Sequence, residues 1–199
     1  MSVSAAYFDA LHREKSDPFG LRDSWYERRK RELLLAMLSQ PSYQDAWEVG
    51  CSIGELTAAL APRCAHLLAT EGSADAVECA RARTREWRQV RIRQARHPRD
   101  WPARTFDLIV FSEVGYYFDA GALAELAARF AHSLAADGTF IACHWRHPFV
   151  PAPLSGNRVH DILDTQLPWT RTCHYEDADF LLDGWAASAV SIAEREGKR

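Results

Sequence analysis

The chain has 199 residues, enough for one domain with a substantial core, and its 47% hydrophobic and 26% charged content is ordinary for a globular protein in water. A net charge of −3 gives no electrostatic case for nucleic acid, and no apolar run approaches a membrane span. Five scattered cysteines (51, 64, 79, 143 and 173) without a C-x-x-C pair argue for reduced thiols, not a disulfide framework or a zinc site; with no signal sequence in evidence, a cytoplasmic location is expected.

Asp17-Pro-Phe-Gly20 is a turn cluster closing a short opening segment. Ser24 and Glu27 have capping-box spacing, and the helix they start should run to about Leu38, burying Leu34, Leu35 and Leu38 and exposing Arg28, Arg29 and Lys30. Residues 44–49 read as a strand feeding Gly50-Cys-Ser-Ile-Gly54, followed by a helix from Glu55 to about Arg63. Gly50 suits a turn conformation closed to residues with a Cβ, and Gly54 would let a ligand or strand approach the helix start. The spacing is not G-x-G-x-x-G, which speaks against a nicotinamide-dependent oxidoreductase.

Ala65–Glu71 is a second apolar strand ending on an acid. Glu71 lies 17 residues beyond Gly54, close to the roughly 20-residue offset at which a carboxylate grips ribose hydroxyls; a solvated strand-end acid is the bland alternative. Gly72 follows, then Ser73 as the cap of a helix to about Trp87. Val90–Ala95 alternates as a strand near a sheet edge does, and the basic run from Arg81 to Arg99 reads as an exposed helix face. Phe106–Phe111 is a buried strand leading into Ser112-Glu-Val-Gly-Tyr-Tyr-Phe118. An Ala/Leu helix over 119–135 precedes an Asp137-Gly138 turn and a strand over 139–144. Residues 148–158 are loop-like and could form a lid, a short helix covers 158–166, and strands at 169–176 and 179–187 precede a frayed tail.

Five strands alternating with helices, then a strand pair, predict an α/β domain: a doubly wound, seven-stranded, mostly parallel sheet with a helical extension at its N-terminus. Within this single domain, residues 1–40 form the helical cap, 41–147 the cofactor-binding core, 148–168 the lid and substrate region, and 169–190 the terminal strand pair. Ligands of such sheets bind at the carboxyl ends of strands. Gly50–Gly54, Glu71, Glu113 and His144 all fall at one.

The loop Glu48-x-Gly50-x-Ser52-x-Gly54 resembles motif I of class I S-adenosylmethionine-dependent methyltransferases, with Ser52 where that family more often has glycine. Phe106–Tyr117 resembles their fourth-strand motif, whose acid, here Glu113, leads into the reaction chamber. With Asp17-Pro18 and Ser24-Trp-Tyr-Glu27 these resemble the NodS-like branch, whose namesake N-methylates the free amine of a chitooligosaccharide nodulation-factor precursor. The resemblance covers about residues 17–145 and fades after Trp145. It implies a Rossmann-like fold and S-adenosyl-L-methionine as cofactor, with S-adenosyl-L-homocysteine as product. Glu48, Gly50, Cys51, Ser52, Gly54, Glu71, Gly72, Ser73, Arg96, His97 and Glu113 would surround that cofactor, and Tyr26 and Arg29 could reach over the site to its methionine carboxylate. One departure follows the third strand. The family places an acid there for the adenine amino group, whereas this chain has Arg96-His97; either Asp100 substitutes from a shifted loop, or backbone groups and stacking hold adenine.

An amine nucleophile must arrive deprotonated, since an ammonium has no lone pair, and a nearby carboxylate, tyrosine or histidine would help. Glu113, Tyr116 and His144 are the first candidates, with Tyr117 behind them; Glu113 could equally hold cofactor, and His144 and His147 could equally be satisfied polar residues under a loop. His144, His147 and His160 lack the one-face helical spacing of zinc enzymes, so no metal is expected. The expected activity is methyl transfer to a small molecule or saccharide, with the amine of an amino sugar first. The alternatives are a small-molecule O-methyltransferase or a binding protein that keeps the fold without turnover. The aromatic residues Trp25, Tyr26, Tyr116, Tyr117 and Trp145 suit either acceptor. A monomer or weak homodimer is expected.

Overall fold

The computed structural model describes residues 2–188 and 190–199. Two helices, α1 (Ala5–Glu14) and α2 (Trp25–Met37), precede the sheet. Between them the Asp17 carboxylate accepts from the backbone of Leu21 and Arg22, so the turn cluster is a turn in fact. Then follow β1 (Tyr43–Val49), α3 (Glu55–Leu60), β2 (Cys64–Glu71), α4 (Ala74–Thr84), β3 (Val90–Gln94), β4 (Phe106–Ser112), α5 (Ala120–Ser133), β5 (Leu134–Trp145), α6 (Gly156–Gln166), β6 (Thr170–Glu176), β7 (Phe180–Ala186) and the short α7 (Ile192–Arg195). The strand order is β3-β2-β1-β4-β5-β7-β6, with β7 antiparallel to both neighbours and the first five strands parallel. This is the doubly wound architecture expected, with its order reversing between β1 and β4, where such sheets open a crevice.

β4 explains why the sheet is a middle layer. Ile109 and Phe111 point into a core shared with Phe130 of α5 and Leu163 of α6, while Leu108 and Val110 point into a second core with Leu34 of α2 and Leu60 of α3. A strand buried on both faces reads as a continuous apolar run. α5 contributes Leu123, Leu126, Ala127 and Phe130 at helical spacing, all fully buried; each large side chain so buried contributes about 1.5–3 kcal/mol. Asp119 caps this helix by accepting from Ala122 N, and Ser155 caps α6 by accepting from Arg158 N.

Three local expectations change. Ser24 caps α2 by accepting from Glu27 N, but the Glu27 carboxylate turns away from the cap to Lys30, so the box is only half formed. Asp137-Gly138 is not a turn: it lies in an irregular stretch of β5, where Phe106 pairs with Leu134 and Leu108 already with Thr139. The extra residues bulge over Leu134, whose Cγ would lie 2.7 Å from a Cβ at position 138. The opening segment is the helix α1. Residues 148–155 are loop, as expected, and α6 after them buries Val159, Ile162 and Leu163 in the core.

Candidate active site

A cavity of about 620 Å³ opens at the carboxyl ends of β1 to β5. Its floor is Glu48–Ser52, its sides are Thr70–Gly72, Ala95–His97 and Phe111–Val114, and Tyr116, Tyr117, Trp145 and Phe149 close one end. The roof is N-terminal: Tyr7, Phe8 and His12 from α1, and Tyr26, Glu27, Lys30 and Arg31 from α2. α1 is tied across the mouth by Asp9 to Arg96 at 3.0 Å and by Val3 N to the Tyr117 carbonyl at 2.8 Å.

The β1–α3 loop takes its shape from three left-handed residues, Gly50 (φ +73), Ser52 (φ 47) and Gly54 (φ +84). Gly50 N and Cys51 N both donate to the Thr70 carbonyl, and the Glu71 carboxylate accepts from Ser52 N and Ser73 N at 2.9 Å each. Glu71 is thus bound on one side of each oxygen and keeps lone pairs facing the cavity. Glu48 lies under the loop, accepting from the Thr57 hydroxyl at 2.6 Å; burial pushes its carboxyl up to about 7.

Not every expected residue reaches the cavity. Gly54 is outside it: a Cβ there would meet the Ala80 backbone at 2.9 Å, so this glycine serves the packing of α3 on α4, not ligand approach. Ser73 is likewise buried at the N-cap of α4, where its side chain caps nothing. Arg29 lies on the far side of α2, where it donates to Asp177 and Tyr175 of the β6–β7 hairpin. Two positions on, Arg31 lines the cavity, and one of its guanidinium nitrogens donates to the Leu21 carbonyl. Asp100 does not enter either, being held by Arg96 N and the Arg99 side chain. Trp25 points outward, 66% exposed.

His97 does enter. Thr70 donates its hydroxyl to the Glu48 carbonyl and accepts from Trp47 Nε1, so His97 Nε2, 3.0 Å from the same hydroxyl, is the protonated nitrogen. Its Nδ1 is then a bare acceptor, and it is buried without a partner. Burial holds this histidine down at about 4, so it stays neutral.

At the other end of the cavity stands a charged cluster that sequence reasoning missed. Lys30, expected on an exposed face, is 5% exposed and bridges Glu27 Oε1 at 2.9 Å and Glu113 Oε1 at 2.6 Å. Burial alone would push the Lys30 ammonium down, but the two carboxylates outweigh it and hold its pKa above the ordinary lysine range. Glu113 adopts φ 58, which turns its side chain back over the end of β4; its Oε2 accepts from Tyr116 OH and from Trp145 N. The signal that would have found Lys30 is helical phase, since it lies four residues before buried Leu34.

His144 is fully buried and does not line the cavity. Its Nε2 accepts from Gly115 N at 2.9 Å, its Nδ1 meets His160 Nε2 at 3.1 Å, and His160 Nδ1 meets Asp183 at 2.6 Å. Burial holds His144 well below the ordinary histidine range. His147 is exposed and pairs with Asp179. Among the described residues, no three His, Cys, Asp or Glu are gathered as a metal site requires, and no helix is long and apolar enough to cross a membrane.

The cavity presents several buried polar atoms with no partner among the described residues: His12 Nδ1, Tyr26 OH, Ser52 Oγ and His97 Nδ1. Buried polar groups are ordinarily hydrogen-bonded, so these fit a polar ligand between the strand ends and the roof helices. Sheet order, left-handed glycine loop and strand-end acid together are the architecture of class I S-adenosylmethionine-dependent methyltransferases. The chain belongs to the nodulation protein S (NodS) family, whose model matches residues 5–150. It is similar to nodulation protein S of Bradyrhizobium diazoefficiens, 34% identical over 102 residues that make up 51% of this chain and 49% of that protein, so it spans about half the length of that relative. Among solved structures, it is similar to the N-methyltransferase NodS of Bradyrhizobium japonicum WM9 in complex with S-adenosyl-L-homocysteine, with a TM-score of 0.79 and 28% identity over 88% of this chain and 95% of that one. It is also similar to a Pseudomonas syringae protein described as a methyltransferase, 46% identical with a TM-score of 0.73, over 81% of this chain and 99% of the other.

Proposed function

We propose that this protein transfers the methyl group of S-adenosylmethionine to the free amine of an amino sugar or short amino-oligosaccharide. The observation that carries the reading is the set of cavity polar atoms unpartnered among the described residues, two from the roof helices (His12, Tyr26) and two from the strand ends (Ser52, His97), with a cluster of two acids and one lysine at the aromatic end of the same cavity. Bound there, S-adenosylmethionine supplies an electrophilic methyl group. Everything else falls to the chain. The free lone pairs of Glu71 suit the two ribose hydroxyls, and His97 Nδ1 suits the adenine amino group, taking the place of the family's missing acid. Arg31 and Tyr26 suit the methionine carboxylate. Val114, Tyr116, Tyr117 and Phe149 keep water from the reacting end, where alignment supplies much of the acceleration.

Calorimetric titration with S-adenosylmethionine, S-adenosylhomocysteine and NAD in parallel tests the cofactor, followed by turnover of glucosamine oligomers. Binding of the first two alone is expected; binding of NAD alone overturns the assignment, and methylation of hydroxyl but not amine acceptors would make this an O-methyltransferase. Glu71→Ala should weaken S-adenosylhomocysteine binding by about 1–3 kcal/mol, the scale of hydrogen bonds to a charged group. An unchanged affinity would remove Glu71 from the ribose site.

A further inference from the structure

The acid–lysine–acid set poses a question the reading above leaves open: which group removes the ammonium proton. Glu113 is poorly placed for it. Its two oxygens already hold three donors, Lys30 Nζ on Oε1 and Tyr116 OH and Trp145 N on Oε2, which leaves one of its four lone pairs for a further proton and favours the ionised form. Tyr116 spends its proton on Glu113, and burial raises its pKa far above the ordinary tyrosine range, so it cannot serve as a base either. His144 does not line the cavity.

Glu27 is different. It projects from the first turn of α2 into the cavity, and among the described residues its carboxylate is bonded through Oε1 to Lys30 alone. From this asymmetry we propose that Glu27 is the catalytic base, accepting the proton of the substrate ammonium; the assignment rests on the N-methylation reading. One N–H bond breaks with its electron pair left on nitrogen, and one O–H bond forms on Glu27. The amine then has the lone pair that attack on the methyl carbon requires, and the carboxyl proton returns to solvent after release. Charge supports the sequence. Two carboxylates around one ammonium leave the resting cluster one negative charge in excess, which attracts a cationic substrate; after the transfer Lys30 and Glu113 remain as a balanced pair. The charged groups facing Glu27 are Lys30 and Arg31 on its own helix and Glu113 beyond β4; burial raises its pKa in spite of the two cations, toward the range where a carboxylate is an effective base.

The test uses Glu27→Gln, the full chain, S-adenosylmethionine and a glucosamine trimer. Turnover at neutral pH should fall by about 10²–10⁴-fold, the usual contribution of a positioned base, and should recover as the pH rises and the trimer arrives already deprotonated. Calorimetric affinity for S-adenosylhomocysteine should not change. In infrared difference spectra, adding the trimer to the S-adenosylhomocysteine complex should produce the carbonyl stretch of a protonated carboxyl in the parent protein and not in the variant. Full activity at neutral pH, or an equal loss at every pH, overturns the assignment. Loss of S-adenosylhomocysteine affinity would make Glu27 a cofactor ligand instead, which also overturns it. A parent protein that binds cofactor but methylates no amine sinks the N-methylation reading itself, and Glu27 as its base goes with it.

Discussion

Replacing Gly50 by valine should leave a folded domain that no longer binds S-adenosylhomocysteine. Two effects combine at this position. The backbone has φ +73, where a β-branched residue is strained by about 1–3 kcal/mol. A Cβ would also lie 2.4 Å from Val114 Cγ2, on the stretch that carries Glu113. Relief of the clash displaces either the Cys51–Ser52 turn or Val114, and both line the cavity. Misplacement of about an ångström at such a site costs on the order of 10²-fold. Gly54→Ala is the informative contrast. Its Cβ would strike the Ala80 backbone, so it should lower the melting temperature through the α3–α4 contact while leaving a cavity that still binds. Calorimetry alongside circular dichroism separates the two; retained affinity in the valine variant would remove the loop from the cofactor site.

The sheet was legible because both of its signals are local. Apolar runs such as Phe106–Phe111 must be buried on two faces, and the alternation of strands and helices leaves few topologies. Motif I and Glu71 were legible because a left-handed loop and a strand-end acid are set by short-range geometry. What depended on helix orientation was harder to read. Arg29, Lys30 and Arg31 look interchangeable as an exposed basic patch, yet each successive residue turns by about 100°; one meets the hairpin, one is buried between carboxylates, and one faces the cavity. The stripe that buries Leu34, continued back through Lys30 to Glu27 and Tyr26, is the roof of the site. α1 escaped because its apolar residues Tyr7 and Phe8 pack on the cavity and on Tyr117, not on the main core. His144 shows the converse: its place at a strand end was right, but alternation along β5 sends its side chain to the α6 side of the sheet, behind Phe111 and Tyr116, which line the cavity in its place.

That face holds the second large effect. Gly115 N can only donate, so His144 Nε2 is the bare nitrogen, His144 Nδ1 donates to His160 Nε2, and His160 Nδ1 donates to Asp183. The chain of bonds therefore runs in one direction, and both imidazoles are neutral with assigned tautomers. Burial would raise the Asp183 carboxyl, but the bonds from His160 and His174 outweigh it and hold its pKa below the ordinary range. Asp183→Ala leaves a buried His160 donor without an acceptor, at about 1–3 kcal/mol. At about 2–4 °C per kcal/mol for a domain of this size, the melting temperature should fall by several degrees. Turnover should fall further than S-adenosylhomocysteine affinity, because the relay ends on the turn that carries Tyr116 and Tyr117. The pH dependence has a definite sign. In the unfolded chain His144 takes up a proton near 6.5, whereas the folded site resists protonation to well below that, so stability is lost as pH falls beneath about 6.5. His97, held at about 4, acts in the same direction, while Asp183 loses its contribution only at lower pH. Glu48 and Glu27, whose carboxyls burial raises, act with the opposite sign in both proteins, so the histidine contribution is read as a difference: between pH 7 and pH 5 the parent should lose melting temperature relative to His144→Phe on acidification. Equal slopes in the two proteins would mean that the relay is not neutral.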